Sequence, residues 1–281
     1  VTLKQVLDQA RQIFTTNRIE DASLEGEILL RHALKIDRAG LYSELDRELG
    51  ADQKDVFWNL VQRRVSGEPT AYITGRREFY GLDFYIDHRV LIPRPETELL
   101  VEKALELAQT RTMVAVADIG TGCGAIAISL ARHLPRLKIY ASDVSADALE
   151  VARINCQKHG VVDRIQLRHG DMLEPLPEPI DLIMANLPYV TGEEISRAAL
   201  ADFEPLIALN GGADGLDKIK RLCEQATDKL SHNGGMLLEI GLGQSRPVVS
   251  LIYRHFPSAS VEVIPDLQGI ERVVSLCLTP N

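Results

Sequence analysis

The residues best placed to do chemistry are a run of alternating glycines, three acids and one tetrapeptide. Asp118-Ile119-Gly120-Thr121-Gly122-Cys123-Gly124 follows an apolar, strand-like stretch and opens a helical one. Its glycines permit a tight turn and let a ligand approach the backbone without Cβ atoms in the way. Nineteen residues beyond Gly124, Asp143 closes the next strand, where a carboxylate can accept both hydroxyls of a ribose. Two cofactors compete for such a loop. A dinucleotide site spaces its glycines G-x-G-x-x-G and seats a pyrophosphate on the helix N-terminus. Here the spacing is G-x-G-x-G, with Asp118 two residues before Gly120. An acid there repels pyrophosphate and suits a cation carrying an amino group. S-adenosylmethionine, a sulfonium with an α-amino group and no phosphate, fits better. Asp118, Gly120, Thr121, Gly122, Cys123, Gly124 and Asp143 are its expected contacts. The plainer alternative makes Asp118 a turn cap at a strand end. Asp171, after the third strand, suits the adenine amino group or an ordinary Gly-Asp turn.

The tetrapeptide is Asn186-Leu187-Pro188-Tyr189, at the carboxyl end of a fourth strand, beside the crevice where open α/β sheets bind ligands. A planar amino group conjugated to a carbonyl or ring is a poor nucleophile, because its lone pair is delocalised. Two acceptors holding its N–H groups can aim the nitrogen and favour the developing positive charge. The Asn186 side-chain oxygen is one expected acceptor and the Leu187 carbonyl the other. Pro188 restricts Leu187 to extended angles, and Tyr189 offers a flat face for a planar group. Asn186 is also expected to reach the cofactor.

The elements needed to position these groups are visible in the periodicity. Residues 1–75 read as helices, from Leu3, Val6, Ala10 and Phe14, from Leu24 to Leu34, and from Val56 to Arg64. Residues 79–92 change period: Leu82, Phe84 and Ile86 alternate with polar or amphipathic neighbours and Val90-Leu91-Ile92 follows, which predicts a β-hairpin. Pro93-Arg94-Pro95-Glu96-Thr97-Glu98 then leads into a helix, its acids suiting the helix dipole. From residue 113 strands and helices alternate, which predicts a parallel sheet with helices on both faces. Val261–Ile264 and Arg272–Leu278 are joined too closely for a helical crossover and should pair antiparallel at the sheet edge.

These stretches resemble the release factor glutamine methyltransferases (the HemK/PrmC family) over essentially the whole chain. The matching segments are Phe79-Tyr80-Gly81, Leu91 to Glu98, Asp118–Gly124, Asn186–Tyr189, Glu204-Pro205 through Leu209, Gly211-Gly212-Ala213-Asp214-Gly215 and Leu237-Leu238-Glu239. The resemblance implies an α/β protein with a Rossmann-like, seven-stranded class I methyltransferase domain (96–281), an N-terminal helical substrate-docking bundle (1–75) and a β-hairpin linker (76–95). It implies methyl transfer from S-adenosyl-L-methionine, leaving S-adenosyl-L-homocysteine, to the glutamine side-chain amide in the Gly-Gly-Gln loop of bacterial peptide chain release factors, modulating translation termination. It also places Met172 against the adenine and Asn186–Tyr189 around the glutamine. One departure is Leu187, where the family pattern Asn-Pro-Pro-Tyr has proline. The acceptor there is a backbone carbonyl, so the replacement keeps the acceptor and gives up a rigid ring.

Composition narrows the rivals. The 281 residues carry 31 basic and 40 acidic groups, a net charge of −9, which argues against gripping long nucleic acid through its phosphates. No direct nucleic-acid binding is expected. Cys123, Cys156, Cys223 and Cys277 form no CxxC pair and the seven histidines no HxH or HExxH spacing, so neither a disulfide framework nor a metal site is indicated. With no signal peptide or membrane-length apolar run visible, a cytoplasmic protein, most simply a monomer, is expected. Glutamine methylation of a ribosomal protein, amino methylation of adenine, an NAD-dependent dehydrogenase and a non-catalytic scaffold remain the alternatives.

Overall fold

The structure, a computed structural model, describes residues 1–197 and 203–278. The chain divides into two compact units, Val1–Arg76 and Arg77 onward. In the first, α1 (Leu3–Thr16) opens with a capping box: the Thr2 hydroxyl accepts from Gln5 N, and Gln5 Oε1 accepts from Thr2 N at 2.9 Å. Leu3, Val6, Ala10 and Phe14 form its buried face. They pack with Leu29 and Leu30 of α2 (Ala22–Leu34), Leu41 of α3 (Arg38–Ser43), Phe57, Leu60 and Val61 of α4 (Ala51–Val65) and Ile73 of α5 (Thr70–Thr74). The three expected helices are present. The two short ones escaped the periodicity because neither completes two turns; α3 is set by its cap, Asp37 accepting from Gly40 N at 2.7 Å.

The second unit begins with the hairpin, displaced from its expected place. Its strands are β1 (Arg76–Phe79) and β2 (Leu82–Tyr85), and Val90–Ile92 is not a strand. The cause is the turn. Tyr80 and Gly81 both have positive φ, 51° and 70°, the pattern of a two-residue primed turn. The chain therefore reverses before Leu82, and Asp87, which accepts from the Tyr85 hydroxyl and the Arg89 guanidinium, lies two residues after β2 ends. Asn155 then anchors the hairpin, accepting from Tyr85 N at 2.7 Å and donating to Tyr85 O at 3.0 Å.

A single seven-stranded sheet follows. Its elements are α6 (Glu98–Thr110), β3 (Ala115–Ile119), α7 (Ala125–His133), β4 (Lys138–Asp143), α8 (Ala146–Lys158), β5 (Ile165–His169), β6 (Ile180–Ala185), α9 (Gly192–Arg197), α10 (Asp217–Lys229), β7 (Leu230–Glu239), α11 (Ser245–His255), β8 (Ser260–Pro265) and β9 (Glu271–Cys277). The strand order is β5-β4-β3-β6-β7-β9-β8. The first five are parallel and β9 runs antiparallel to both its neighbours, as the short β8–β9 link requires. β3 is buried along its length, as the centre of a doubly covered sheet demands. Strand order reverses between β3 and β6, so the crevice beyond their carboxyl ends is the topological switch point. β7 starts earlier than its apolar run Met236–Ile240: Ile180 pairs Leu230 and Leu182 pairs Gly235, an irregular register that polar Ser231-His232-Asn233 hid from a hydrophobicity reading.

Candidate active site

The glycine loop joins β3 to α7. Gly120 N and Thr121 N both donate to Ser142 O of β4, at 2.9 and 3.0 Å, folding the loop back over the sheet. Gly120, Gly122 and Gly124 all have positive φ (70°, 55° and 86°), the region where a Cβ is strained. Behind the loop lies Asp118, 1% exposed. Its Oδ2 accepts from Thr121 Oγ1 at 2.6 Å and Ala127 N at 3.2 Å, while Oδ1 is buried with no partner. Burial lifts its carboxyl to about 6 against the pull of those two donors. Asp118 thus ties the loop to the first turn of α7. Cys123 is buried, its thiol pushed up to about 12 by desolvation, and its carbonyl accepts from Asn155 Nδ2 at 3.0 Å. A thiol held neutral in this way is no nucleophile.

Asp143 stands on the other side of the loop. It accepts from Gly122 N and Ser145 N, both at 2.9 Å, and burial raises its pKa against those donors. Asp171 forms an ion pair with Arg221 and accepts from Gln225 Nε2 at 3.3 Å. Met172, at φ 49°, accepts at its carbonyl from Ser142 Oγ, 2.8 Å away.

Asn186 opens the segment after β6. Its Nδ2 donates to Thr97 Oγ1 at 3.0 Å, which turns Oδ1 away from Thr97. The Leu187 side chain packs over the glycine loop, its Cδ2 lying 3.2 Å from where a Cβ on Gly120 would sit. The Tyr189 phenol is pushed up to about 12 by burial and by the nearby Glu239 charge, so it stays protonated, and Tyr189 O accepts from Gln244 Nε2 at 3.2 Å.

Two adjoining cavities meet at this segment. The first is lined by Gly120, Gly122, Asp143, Asp171 and Met172, among others; the second by Arg94, Tyr189, Val190, Ile195 and Glu204. Asn186, Leu187, Pro188, Leu91 and Ala208 line both. Asp118, Thr121, Cys123 and Gly124 do not line the first cavity but brace its loop. The first cavity offers glycine backbone, a carboxylate already oriented by two N–H groups, and the apolar faces of Ile119, Val144 and Met172. That combination suits a nucleoside, its ribose hydroxyls on the carboxylate and the flat face of its base on the apolar side chains.

The periodicity had no means of finding several supporting residues. Glu204, whose side chain is fully buried, accepts from Ile92 N at 3.1 Å and from Arg94 at 2.6 Å, clamping the Pro93–Pro95 approach against the far wall of the second cavity. Thr97 and Glu239 are buried behind Asn186. The helix-start chemistry of Glu96 and Glu98 accounted for that stretch without them. Among the described residues, no group of three His, Cys, Asp or Glu could hold a metal, and no helix is long and apolar enough to cross a membrane.

Residues 5–75 match the PrmC N-terminal domain family and residues 95–204 the Methyltransferase small domain family. The chain is 41% identical over 279 residues to a release factor glutamine methyltransferase of Koribacter versatilis (strain Ellin345), covering 98% of both chains. It is 39% identical over 274 residues to one from Moorella thermoacetica, covering 97% of each. The chain belongs to the release factor glutamine methyltransferases. The fold alone is shared more widely. The catalytic domain of hMettl16, solved with an RNA hairpin, superposes with TM-score 0.59 at 17% identity, covering 79% of this chain and 83% of that one. The Thermus thermophilus 16S rRNA N2 G1207 methyltransferase, solved with AdoMet and guanosine, gives 0.52 at 18%, covering 73% and 50%.

Within this glutamine methyltransferase, the Leu187 contact with Gly120 makes a prediction. Leu187→Pro keeps the carbonyl but removes the side chain that packs on the loop. We expect kcat within about threefold of the parent and a loss of about 1 kcal/mol of stability from the lost packing, read by steady-state kinetics and urea unfolding. Loss of activity by orders of magnitude would show that Leu187 contributes more than a carbonyl.

Proposed function

We propose that the protein transfers a methyl group from S-adenosyl-L-methionine to the side-chain amide nitrogen of the glutamine in the Gly-Gly-Gln loop of bacterial peptide chain release factors, in the cytoplasm, and so modulates translation termination. The observation that carries the reading is the meeting of two cavities at Asn186–Pro188. A donor in one and an amide in the other would face each other across the tetrapeptide. The cofactor, when bound, supplies an electrophilic methyl on a sulfonium.

The chain supplies orientation. Asp143, aimed by Gly122 N and Ser145 N, offers its remaining lone pairs to the ribose hydroxyls. Gly120 and Gly122 let the ligand lie against backbone, and Met172 offers a polarizable face to the adenine. Asp171 lines the adenine end while held by Arg221. On the other side, Asn186 Oδ1 and the Leu187 carbonyl accept the two amide N–H groups and direct the nitrogen in line with the methyl. With the cofactor bound, its methyl would be taken by this nitrogen as the S–C electron pair stays on sulfur, and the nitrogen held by Asn186 Oδ1 and the Leu187 carbonyl would lose a proton to water. The catalytic gain lies in orientation and in acceptors fixed before the charge develops. The Tyr189 ring closes the acceptor side.

The test is methyl-labelled S-adenosylmethionine with purified release factor, beside a copy whose loop glutamine is alanine. Label only on the intact loop is expected. Equal label on both copies, or label only on a ribosomal protein or on adenine, would replace the substrate.

A further inference from the structure

Arg94 leaves the chain on a stiff stem. It stands between Pro93 and Pro95, and a residue before proline is confined to extended angles; its φ is −96° and its ψ 146°. Its carbonyl accepts from Thr97 N at 3.1 Å, which ties its backbone to the residue holding Asn186 Nδ2. The side chain ends on Glu204: Nη2 donates to Oε2 at 2.6 Å, while Oε1 accepts from Ile92 N at 3.1 Å. The Glu204 side chain is fully buried, yet that of Arg94 is 33% exposed. Both line the second cavity together with Asn186 and Tyr189, and Arg94 is the one cation among the described residues that do. Its Nε and Nη1 find no partner among the described residues and are not sealed from solvent. A guanidinium presents its donors as a rigid planar fork, so fixing one prong on Glu204 aims the rest.

We propose that Arg94 binds substrate, donating from Nε and Nη1 to a main-chain carbonyl of the polypeptide whose glutamine enters the second cavity, and that Glu204 positions its guanidinium. This rests on the reading of Asn186 as holder of the substrate amide. The chemistry at Asn186 selects the acceptor. A cation on the oxygen of the reacting amide would draw electrons from the nitrogen that must attack, and would oppose the positive charge arriving there. A main-chain carbonyl lies outside that conjugated group and carries no such penalty, and any glutamine in a polypeptide brings one within a few bonds. An adenine base has no carbonyl to offer this wall. Glu204 cancels the guanidinium charge, so the site keeps directed, charge-assisted donors without a field that repels a sulfonium. The carbonyl takes no part in the bond change and is held as tightly before methyl transfer as during it. Binding of that kind shows in KM and not in kcat.

The test uses the full chain, purified release factor and saturating S-adenosylmethionine. Arg94→Ala would strand the buried Glu204 charge and endanger the fold. Arg94→Lys keeps a cation on Glu204 but loses the fork. KM for release factor is expected to rise about 10- to 30-fold, with kcat within about threefold and the Kd for S-adenosylhomocysteine within about twofold. A second variant, Arg94→Met with Glu204→Gln, removes both charges and leaves an oxygen for Ile92 N; it should raise KM by a similar factor. The ratio of its KM to the parent's should be the same at low and high salt, whereas a ratio that shrinks as salt rises would assign the guanidinium to a substrate carboxylate and overturn the proposal. A role confined to holding the Pro93–Pro95 stretch would read differently: loosening that stretch moves Thr97, and with it Asn186, so the loss would fall in kcat. An unchanged KM in either variant that folds, or a loss carried by kcat, would overturn the proposal. If the parent labels a ribosomal protein and not release factor, the substrate reading falls, and the same KM comparison on that protein decides this one. Label on adenine alone would overturn both.

Discussion

Asn186→Ala is expected to lower kcat about 10²- to 10³-fold, some 2.7–4 kcal/mol of transition-state stabilisation, while leaving the Kd for S-adenosylhomocysteine within about threefold. The asymmetry follows from geometry. Asn186 lines both cavities and its side-chain nitrogen is used by Thr97, so in the proposed reaction its oxygen is the atom left for the substrate amide. The cofactor side is built from other groups, Asp143 and the glycine backbone, which the truncation does not touch. An acceptor fixed by buried neighbours costs no reorganisation as charge develops, and alanine has nothing to replace it with. The check is single-turnover methylation beside calorimetric binding of the product cofactor. A parallel collapse of binding and turnover would assign Asn186 to the cofactor instead.

Much of the fold was legible because a doubly wound sheet writes itself as alternating apolar runs. β3, β4, β6 and the helices between them fall close to where hydrophobic periodicity puts them. The failures share a cause: local backbone geometry with no hydrophobic signature. The hairpin turn at Tyr80-Gly81 is made by two left-handed residues, one of them a tyrosine. The first part of β7 is polar and joins the sheet through an irregular register at Ile180.

The site was legible by chemical type but not by depth. Gly120, Gly122, Asp143, Asp171, Met172, Asn186, Leu187 and Pro188 gather around one cavity, as their places at strand ends suggest. Asp118 has an equally conspicuous position in the sequence, yet its carboxylate points to Thr121 and Ala127. Spacing says which residues reach a strand end; it does not say whether a side chain points into the crevice or under it. Thr97 and Glu239 illustrate the converse. They are 89 and 53 positions from Asn186, and only the tertiary fold brings them behind it.

Gly211→Ala is expected to be damaging in a different way, with stability lowered by about 2–3 kcal/mol and kcat by about 10²-fold or more. Gly211 and Asn210 run alongside the tetrapeptide: Gly211 N donates to Val190 O at 2.9 Å, Val190 N donates to Leu209 O at 3.0 Å, and Val190 bridges Asn210 in parallel. A Cβ at Gly211 would lie 2.7 Å from both Pro188 O and Tyr189 Cα, and 2.9 Å from Gly215 Cα. All three are backbone atoms, so no rotamer change relieves the overlap and the two segments must separate. Separation moves the Leu187 and Pro188 backbone that aims the acceptor carbonyl, and a displacement of about 1 Å is enough to cost two orders of magnitude in rate. Gly192→Ala is the control, since a Cβ there meets nothing within 4 Å. Thermal unfolding should show Tm lower by about 5–10 °C for Gly211→Ala and nearly unchanged for Gly192→Ala. If both variants keep the parent's Tm and kcat, the close packing behind the tetrapeptide is not what holds it in place. Gly211 does not have a positive φ, so a glycine is required there for close spacing and not for conformational freedom, which is why its motif could be matched in the sequence without its purpose being readable there.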